Sequence, residues 1–290
     1  MSSDVALVTA SRLPKADLDA PILTTAIADL GITSQIVAWD AAVDWGAYAL
    51  VVIRTPWDYF ERLDDFLSWA EGVGTVTDLA NPVSVLAWNS HKRYLFDLEA
   101  AGVSIVETRT VAQYAPFQFQ RVVLRQFEGE VVIKPAVSIG AWGAALVAAN
   151  SPEAAAHLEA LALLGDVLVQ PMVDSVTTAG EVSLVYLGGE FSHAVRKVPA
   201  AGDYRVQDHH GGTVHEHVPT DGELVVAGAA LAVVEEPLLY ARADLVALDD
   251  GPAVIELELI EPELFVRTEP AAPLRFARAI ATRLGRDAPN

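Results

Sequence analysis

Two short stretches near the C-terminus carry the most informative pattern of reactive side chains, Tyr240 to Leu248 (YARADLVAL) and Val254 to Ile260 (VIELELI). Strand alternation puts Glu256 and Glu258 on one face, and Arg242 and Asp244 on one face of a partner strand. Asp249-Asp-Gly-Pro252 between them is a turn signal, so the two read as a hairpin. A turn centred on Asp250 sets Asp244 opposite Glu256 and Arg242 opposite Glu258. Three carboxylates then share a patch with one arginine. Opposed like charges are destabilising, and desolvated carboxylates need compensation. A divalent cation with all-oxygen ligands, Mg²⁺ or Mn²⁺, would supply it, as beside nucleotide phosphates. A half-buried sheet with a solvated acidic face accounts for the same pattern without a metal.

The cations that such chemistry needs are few. Lys134 ends an apolar run, Glu130 to Pro135, just before the loop Ser138-Ile-Gly-Ala-Trp-Gly143. A lysine there reaches a phosphate as a point charge, and backbone N–H groups of a glycine loop cradle it; an ordinary surface lysine is the alternative. Arg196, Lys197 and Arg205 fall within ten positions and read as an anion site or as a solvated loop. His209, His210, His215 and His217 cluster between Asp208 and His217, and strand geometry would let His215 and His217 share a zinc ion. Neither a P-loop nor a dinucleotide-binding glycine motif occurs, and no G-x-S-x-G elbow supports a hydrolase triad.

Other elements must position these groups. Asp4–Thr9, Gln35–Trp39 and Ala49–Ile53 read as strands, with helices at Asp19–Leu30 and Leu63–Ala70, so an open α/β unit occupies the first ~80 residues. Ligands of such sheets lie at the carboxyl ends of strands. Arg54 has that place, and with Trp57, Asp58 and Tyr59 it would hold a small zwitterion, the arginine on a carboxylate and Asp58 on an ammonium. Beyond Asn81-Pro82 we expect a helix over 90–101, a strand over 103–106 and a Gln/Phe-rich connection over 113–120. A helix over 152–164 and a strand over 167–173 follow. Next come a hairpin around Gly188-Gly189, a helix over 220–234 and a last helix over 271–284.

The 290 residues are 52% hydrophobic, enough for a core, and carry a net charge of -20. A surface this acidic repels phosphate backbones and anionic lipid, so neither nucleic acid nor membrane is an expected partner. There is no cysteine, and MSSDVALVTA lacks a basic stretch before its apolar run. A cytoplasmic location is expected.

Taken in order, these elements resemble the ATP-grasp superfamily over essentially the whole chain. RTPWDY, GEVSLVY, FSHAVRK, GDYRVQ, LYARADLV and IELELIEP resemble the D-cycloserine synthetase branch of the glutathione-synthetase-like ligases. The resemblance implies an α/β fold, α+β in parts. An open N-terminal α/β domain (1–85) would precede an ATP-grasp domain (86–290) with a lid at about 105–170 and a C-terminal antiparallel sheet. It implies that Lys92 and Lys134 contact ATP phosphates under a mobile lid loop containing Ser138, Gly140 and Gly143. Gln170, Met172 and Val173 would form the adenine hinge, and Glu181 would hold the ribose. Arg205 and Lys197 would hold the transferred phosphoryl group, and Arg242 an oxyanion. Asp244, Glu256 and Glu258 would bind two Mg²⁺. The implied reaction activates an amino-acid-like carboxylate as an acyl phosphate for attack by an amine, within one molecule as in cycloserine formation or between two. A non-catalytic ATP-binding protein is the remaining class, and a second copy of the chain is a permitted partner. One departure is visible: where many members have Glu-x-Asn and a small-residue turn, this chain has Glu258 followed by Glu261-Pro262.

Overall fold

A computed structural model describes residues 3–286. The first two residues of the N-terminal stretch lie outside that range, as does the side chain of His209 in the histidine cluster. The order of elements begins β1 (Val5–Thr9), α1 (Ala20–Asp29), β2 (Ser34–Ala38), β3 (Leu50–Thr55), α2 (Leu63–Val76), β4 (Asp78–Ala80) and α3 (Val83–Asn89). It continues with α4 (Tyr94–Ala100), β5 (Arg109–Val111), α5 (Phe117–Leu124), β6 (Glu130–Pro135), β7 (Ala145–Ala148), α6 (Pro152–Ala162), β8 (Val167–Pro171) and α7 (Asp174–Thr178). Last come β9 (Glu181–Leu187), β10 (Glu190–Val198), β11 (Thr213–His217), α8 (Asp221–Leu231), β12 (Tyr240–Leu248), β13 (Gly251–Glu258) and α9 (Ala272–Arg283).

Three sheets result. A parallel sheet has the order β2-β1-β3-β4, an antiparallel sheet β5-β8-β6-β7, and a five-stranded antiparallel sheet β11-β10-β9-β12-β13. The run Leu50 to Thr55 is buried at every position, as expected of a strand covered on both faces. In β12 and β13, by contrast, Ala243, Leu245, Val254 and Leu257 enter a core shared with Leu184 and Ala227. That leaves the charged set on the opposite face.

Several elements differ from expectation. The helix expected at 90–101 is shorter, because α4 starts only at Tyr94 and ends at Ala100, while a separate α3 closes at Asn89. Residues 103–106 make only a bridge between Ile105 and Val254. The expected connection at 113–120 turns into α5 from Phe117, where Pro116 starts the helix. No helix among the described residues is long and apolar enough to cross a membrane.

Two asparagines lock the end of the hairpin. The Asn89 side chain donates to Leu257 O and accepts from Leu259 N, both at 2.8 Å. Asn81 donates to Tyr240 O and Leu259 O and accepts from Leu239 N. Tyr94 Oη accepts from Leu257 N at 2.9 Å. Buried amides that meet backbone groups in this way hold strand position, since their loss leaves polar groups unsatisfied.

Candidate active site

The functional face is assembled from four strands. In β12 and β13, Arg242 pairs with Glu258 and Asp244 with Glu256, the register expected from the sequence. Its origin is different. From Leu248–Gly251 to Leu245–Val254 the strands follow a two-residue turn, and a bulge between Asp244 and Leu245 then shifts the pairing by one. Ile255 is the extra residue. Were the strand regular there, Ile255 would pair with Asp244 and Glu256 would face the core side.

Asp244, Glu256 and Glu258 each offer a carboxylate oxygen, and these atoms lie within 4.8 Å of one another. Among the described residues this is the one such group, and His215 and His217 are not part of it. Instead His215 bonds Thr213, and His217 bonds Glu223 and Arg196. The hard oxygen donors of the triad fit Mg²⁺.

Cations surround the acids. Arg242 donates to both oxygens of Asp244 at 2.9 Å, and also to Glu258. Lys197 bridges Glu181 and Asp244, the latter at 3.1 Å. Ser183 donates to Asp244 at 2.6 Å. Burial opposes ionisation of Asp244, but Arg242 and Lys197 outweigh it and hold the carboxyl well below the usual range. Glu256 faces Lys92 at 3.2 Å, and Lys92 also donates to Ser138 O. Burial pushes Glu258 up to about 7. Glu261, beyond the strand, is pushed up to about 8 by burial and then by Glu258.

Glu261 therefore binds its proton more tightly folded than unfolded. Such a group costs nothing near pH 4.5 and lowers stability as pH rises towards 8. Metal-free wild type and Glu261→Gln should melt together at pH 4.5, and the variant should melt higher at pH 8.5. A thermal melt series across pH checks this.

Two joined cavities open over the face. One, of about 100 Å³, is lined by Lys92, Lys134, Ser138, Gly140, Gln170, Met172, Val173, Glu181 and Arg205. The structure thus brings together nine residues singled out from sequence. An apolar plate of Met172, Val173, Val176, Val206 and Ile255 forms its inner side and packs with Val106 and Val246 behind it. Lys134 has neither hydrogen bond nor ion pair among the described residues, and burial pulls its ammonium pKa down. An apolar plate ending in an uncompensated lysine fits a purine nucleotide with phosphates. Arg205 lies at the rim, held bidentately by Asp203. Gly143 lines neither cavity. Its φ is +69° and a Cβ would meet Pro135 at 2.9 Å, so it serves the turn.

The second cleft, of about 640 Å³, holds Trp57, Tyr59, Lys197, Arg242, Asp244, Glu256 and Glu258. Two expected residues are absent from it. Asp58 accepts from Trp39 Nε1 at 2.8 Å and from Arg62 at 2.8 Å, which directs its carboxylate away from the cleft. Arg54 is packed near the rings of Tyr240 and Phe276, at 5.8 and 5.6 Å. It faces a crevice of about 10 Å³, room for about one water and not for a carboxylate. Conversely, Lys15, Asn89, Glu261, Glu263 and Arg267 line the cleft and were not anticipated. Only Glu261 carried a signal, as the residue that departs from the small-residue turn.

The loop over the cavities is docked at both sides. Ile139 packs against the core under the parallel sheet, and Trp142, half exposed, meets Phe60 with ring centroids 5.4 Å apart. Nucleotide that orders this loop should change Trp142 emission. The change on adding Mg–ATP should disappear in Trp142→Phe, although five other tryptophans remain.

Comparison with known proteins agrees with this geometry. Residues 5–81 match the N-terminal domain of the D-cycloserine synthetase DcsG, and residues 106–260 match the ATP-grasp domain of prokaryotic glutathione synthetase. The cycloserine biosynthesis protein DcsG of Streptomyces lavendulae is 36% identical over 306 aligned positions, covering 97% of this chain and 98% of that protein. A crystal structure of D-cycloserine synthetase DcsG superposes with a TM-score of 0.88 at 34% identity, over 97% of this chain and 99% of the other. A RimK-domain ATP-grasp protein from Sphaerobacter thermophilus shares the fold, with a TM-score of 0.70 at 17% identity over 95% and 99% of the two chains. The chain belongs to the glutathione-synthetase-like ATP-grasp family, in the D-cycloserine synthetase branch, and is an ATP-dependent carbon–nitrogen ligase.

Proposed function

We propose that this ligase activates an amino-acid-like carboxylate as an acyl phosphate and closes a ring by attack of an amine of the same molecule, as D-cycloserine formation requires. The observation that carries the reading is Lys134, which lines the smaller cavity with Glu256 and the apolar plate and makes no hydrogen bond or ion pair among the described residues. When bound, Mg–ATP supplies the phosphoryl group that makes a carboxylate electrophilic. Asp244, Glu256 and Glu258 would hold Mg²⁺, or Mn²⁺ in its place. Gln170, Met172 and Val173 would face the base, and Glu181 the ribose.

Lys92 and Lys134 hold phosphate oxygens, and Lys197 and Arg205 offset charge on the group in transfer. Such positioning and electrostatics supply most of the catalysis in phosphoryl transfer. Arg242 is held rigidly by Asp244, Glu258 and the Glu263 carbonyl, so its one remaining Nη1–H is a preorganised donor for the tetrahedral oxyanion. Attack by the amine on the acyl carbon expels phosphate. Residues 105–170 would act as the lid, with Ser138 and Gly140 in its loop, and would exclude water from the acyl phosphate. Residues 1–85 would form the substrate-side domain, with Trp57 and Tyr59 as walls. A small-molecule substrate in the cytoplasm, with neither nucleic acid nor membrane involved, completes the proposal.

ADP release, measured across amino-acid-like carboxylates with an internal amine and across carboxylate–amine pairs, tests it. Release with single substrates and formation of a cyclic product is expected. Release only with pairs would make the enzyme an intermolecular ligase, and ATP binding without any release would remove the catalytic reading.

A further inference from the structure

The charges of the larger cleft do not balance locally at one point. Five lysine and arginine side chains line it, and each already faces a carboxylate. Lys15 faces Glu263 and Asp208, Lys92 faces Glu256, Lys197 and Arg242 share Asp244, and Arg267 faces Glu263 and Asp19. Glu261 has no such partner. It is 8% exposed, lines the cleft, and its carboxyl takes part in no hydrogen bond or ion pair among the described residues. Only its backbone carbonyl is engaged, by Trp57 Nε1 at 3.4 Å. The other unpaired carboxylate of the lining, Glu61, is exposed to water.

A second polar group on the cleft lining is also unengaged. Tyr59 is 4% exposed and lines the same cleft, and no hydrogen bond satisfies its hydroxyl among the described residues. Glu261 is the charged group that acts on it most strongly. Both polar groups open onto the cleft, where a ligand can satisfy them. A carboxylate and a hydroxyl that accept hydrogen bonds, walled by the Trp57 and Tyr59 rings, suit a primary ammonium.

We propose that Glu261, with the Tyr59 hydroxyl, receives the protonated amino group of the substrate, so that the cleft selects carboxylates bearing a primary ammonium. The assignment rests on the ligase reading above and gives Glu261 the role that Asp58 cannot fill.

Calorimetric titration in the presence of Mg–ADP tests it with D-cycloserine and isoxazolidin-3-one, the same ring without the amino group. Wild type should bind the amino compound about tenfold or more tightly, as expected of a charge-assisted hydrogen bond. Glu261→Gln should bring the two within about twofold, and Glu261→Asp should restore part of the preference. Affinity for Mg–ADP should stay unchanged. An undiminished preference in Glu261→Gln would overturn the assignment. So would a weakened Mg²⁺ dependence with the preference intact, which would mark Glu261 as a metal ligand. If wild type binds neither ring compound, the ring-closing reading fails by itself. Glu261 is then judged on D-alanine against propanoate, where the same collapse in the variant is required.

Discussion

Asp244→Asn should unfold the sheet more readily, by about 3–5 kcal/mol, the loss expected when one partner of a buried ion cluster is removed. Asp244 is 1% exposed and accepts from Arg242 twice, from Lys197 and from Ser183. An amide keeps one acceptor and turns two donors towards two cations. Arg242 and Lys197 then remain buried with half their compensation gone. A drop in melting temperature on the order of 10 °C should accompany the loss of activity. Denaturant titration of the metal-free variant measures it. An unchanged midpoint would show that Asp244 acts on the metal alone.

Glu256→Gln should behave in the opposite way. Its side chain is 29% exposed and faces Lys92, which keeps Ser138 O as a second partner. Stability should hold, while turnover should fall by about two to three orders of magnitude, as when one preorganised electrostatic group is withdrawn from a transition state. The Mg²⁺ concentration for half-maximal rate should rise. Steady-state kinetics with Mg²⁺ titration, alongside a melt, separates the two variants. If Glu256→Gln kept wild-type turnover, the triad would be a structural cluster and the ligase chemistry would lose its centre.

Much of this site was legible because strand alternation is a short-range code. The period of two placed Arg242, Asp244, Glu256 and Glu258 on facing strands, and Lys134 and Lys197 followed as the scarce cations of an acidic chain. What escaped was set by distant packing. Asp58 looked available until Trp39 and Arg62, 19 and 4 positions away, took its oxygens. Arg54 occupies the strand end foreseen for it, yet α9 and β12 place Phe276 and Tyr240 beside it. Lys15 and Glu263 meet across 248 positions, a pairing that no local pattern encodes. Glu261 was visible only as a departure from a familiar motif, and its meaning depends on the absence of a cation that the fold alone determines.

The extra residue in β13 reaches beyond register. In a regular strand, the side chains of neighbours point to opposite sides of the sheet. At Ile255 and Glu256 the rule is suspended, and both border the smaller cavity. Ile255 belongs to the apolar plate, and Glu256 to the ionic end beside Lys92 and Lys134. The boundary between greasy and charged therefore falls on a single peptide unit, about 3.8 Å from one Cα to the next. The hairpin acts as a ruler whose two marks are covalently joined, and a ligand with an aromatic end and an anionic end is gauged against it. Shortening the strand by Ile255 would leave Asp244 facing Glu256 as before while erasing one mark, so recognition of the ligand and cohesion of the acids are separable within one loop of backbone.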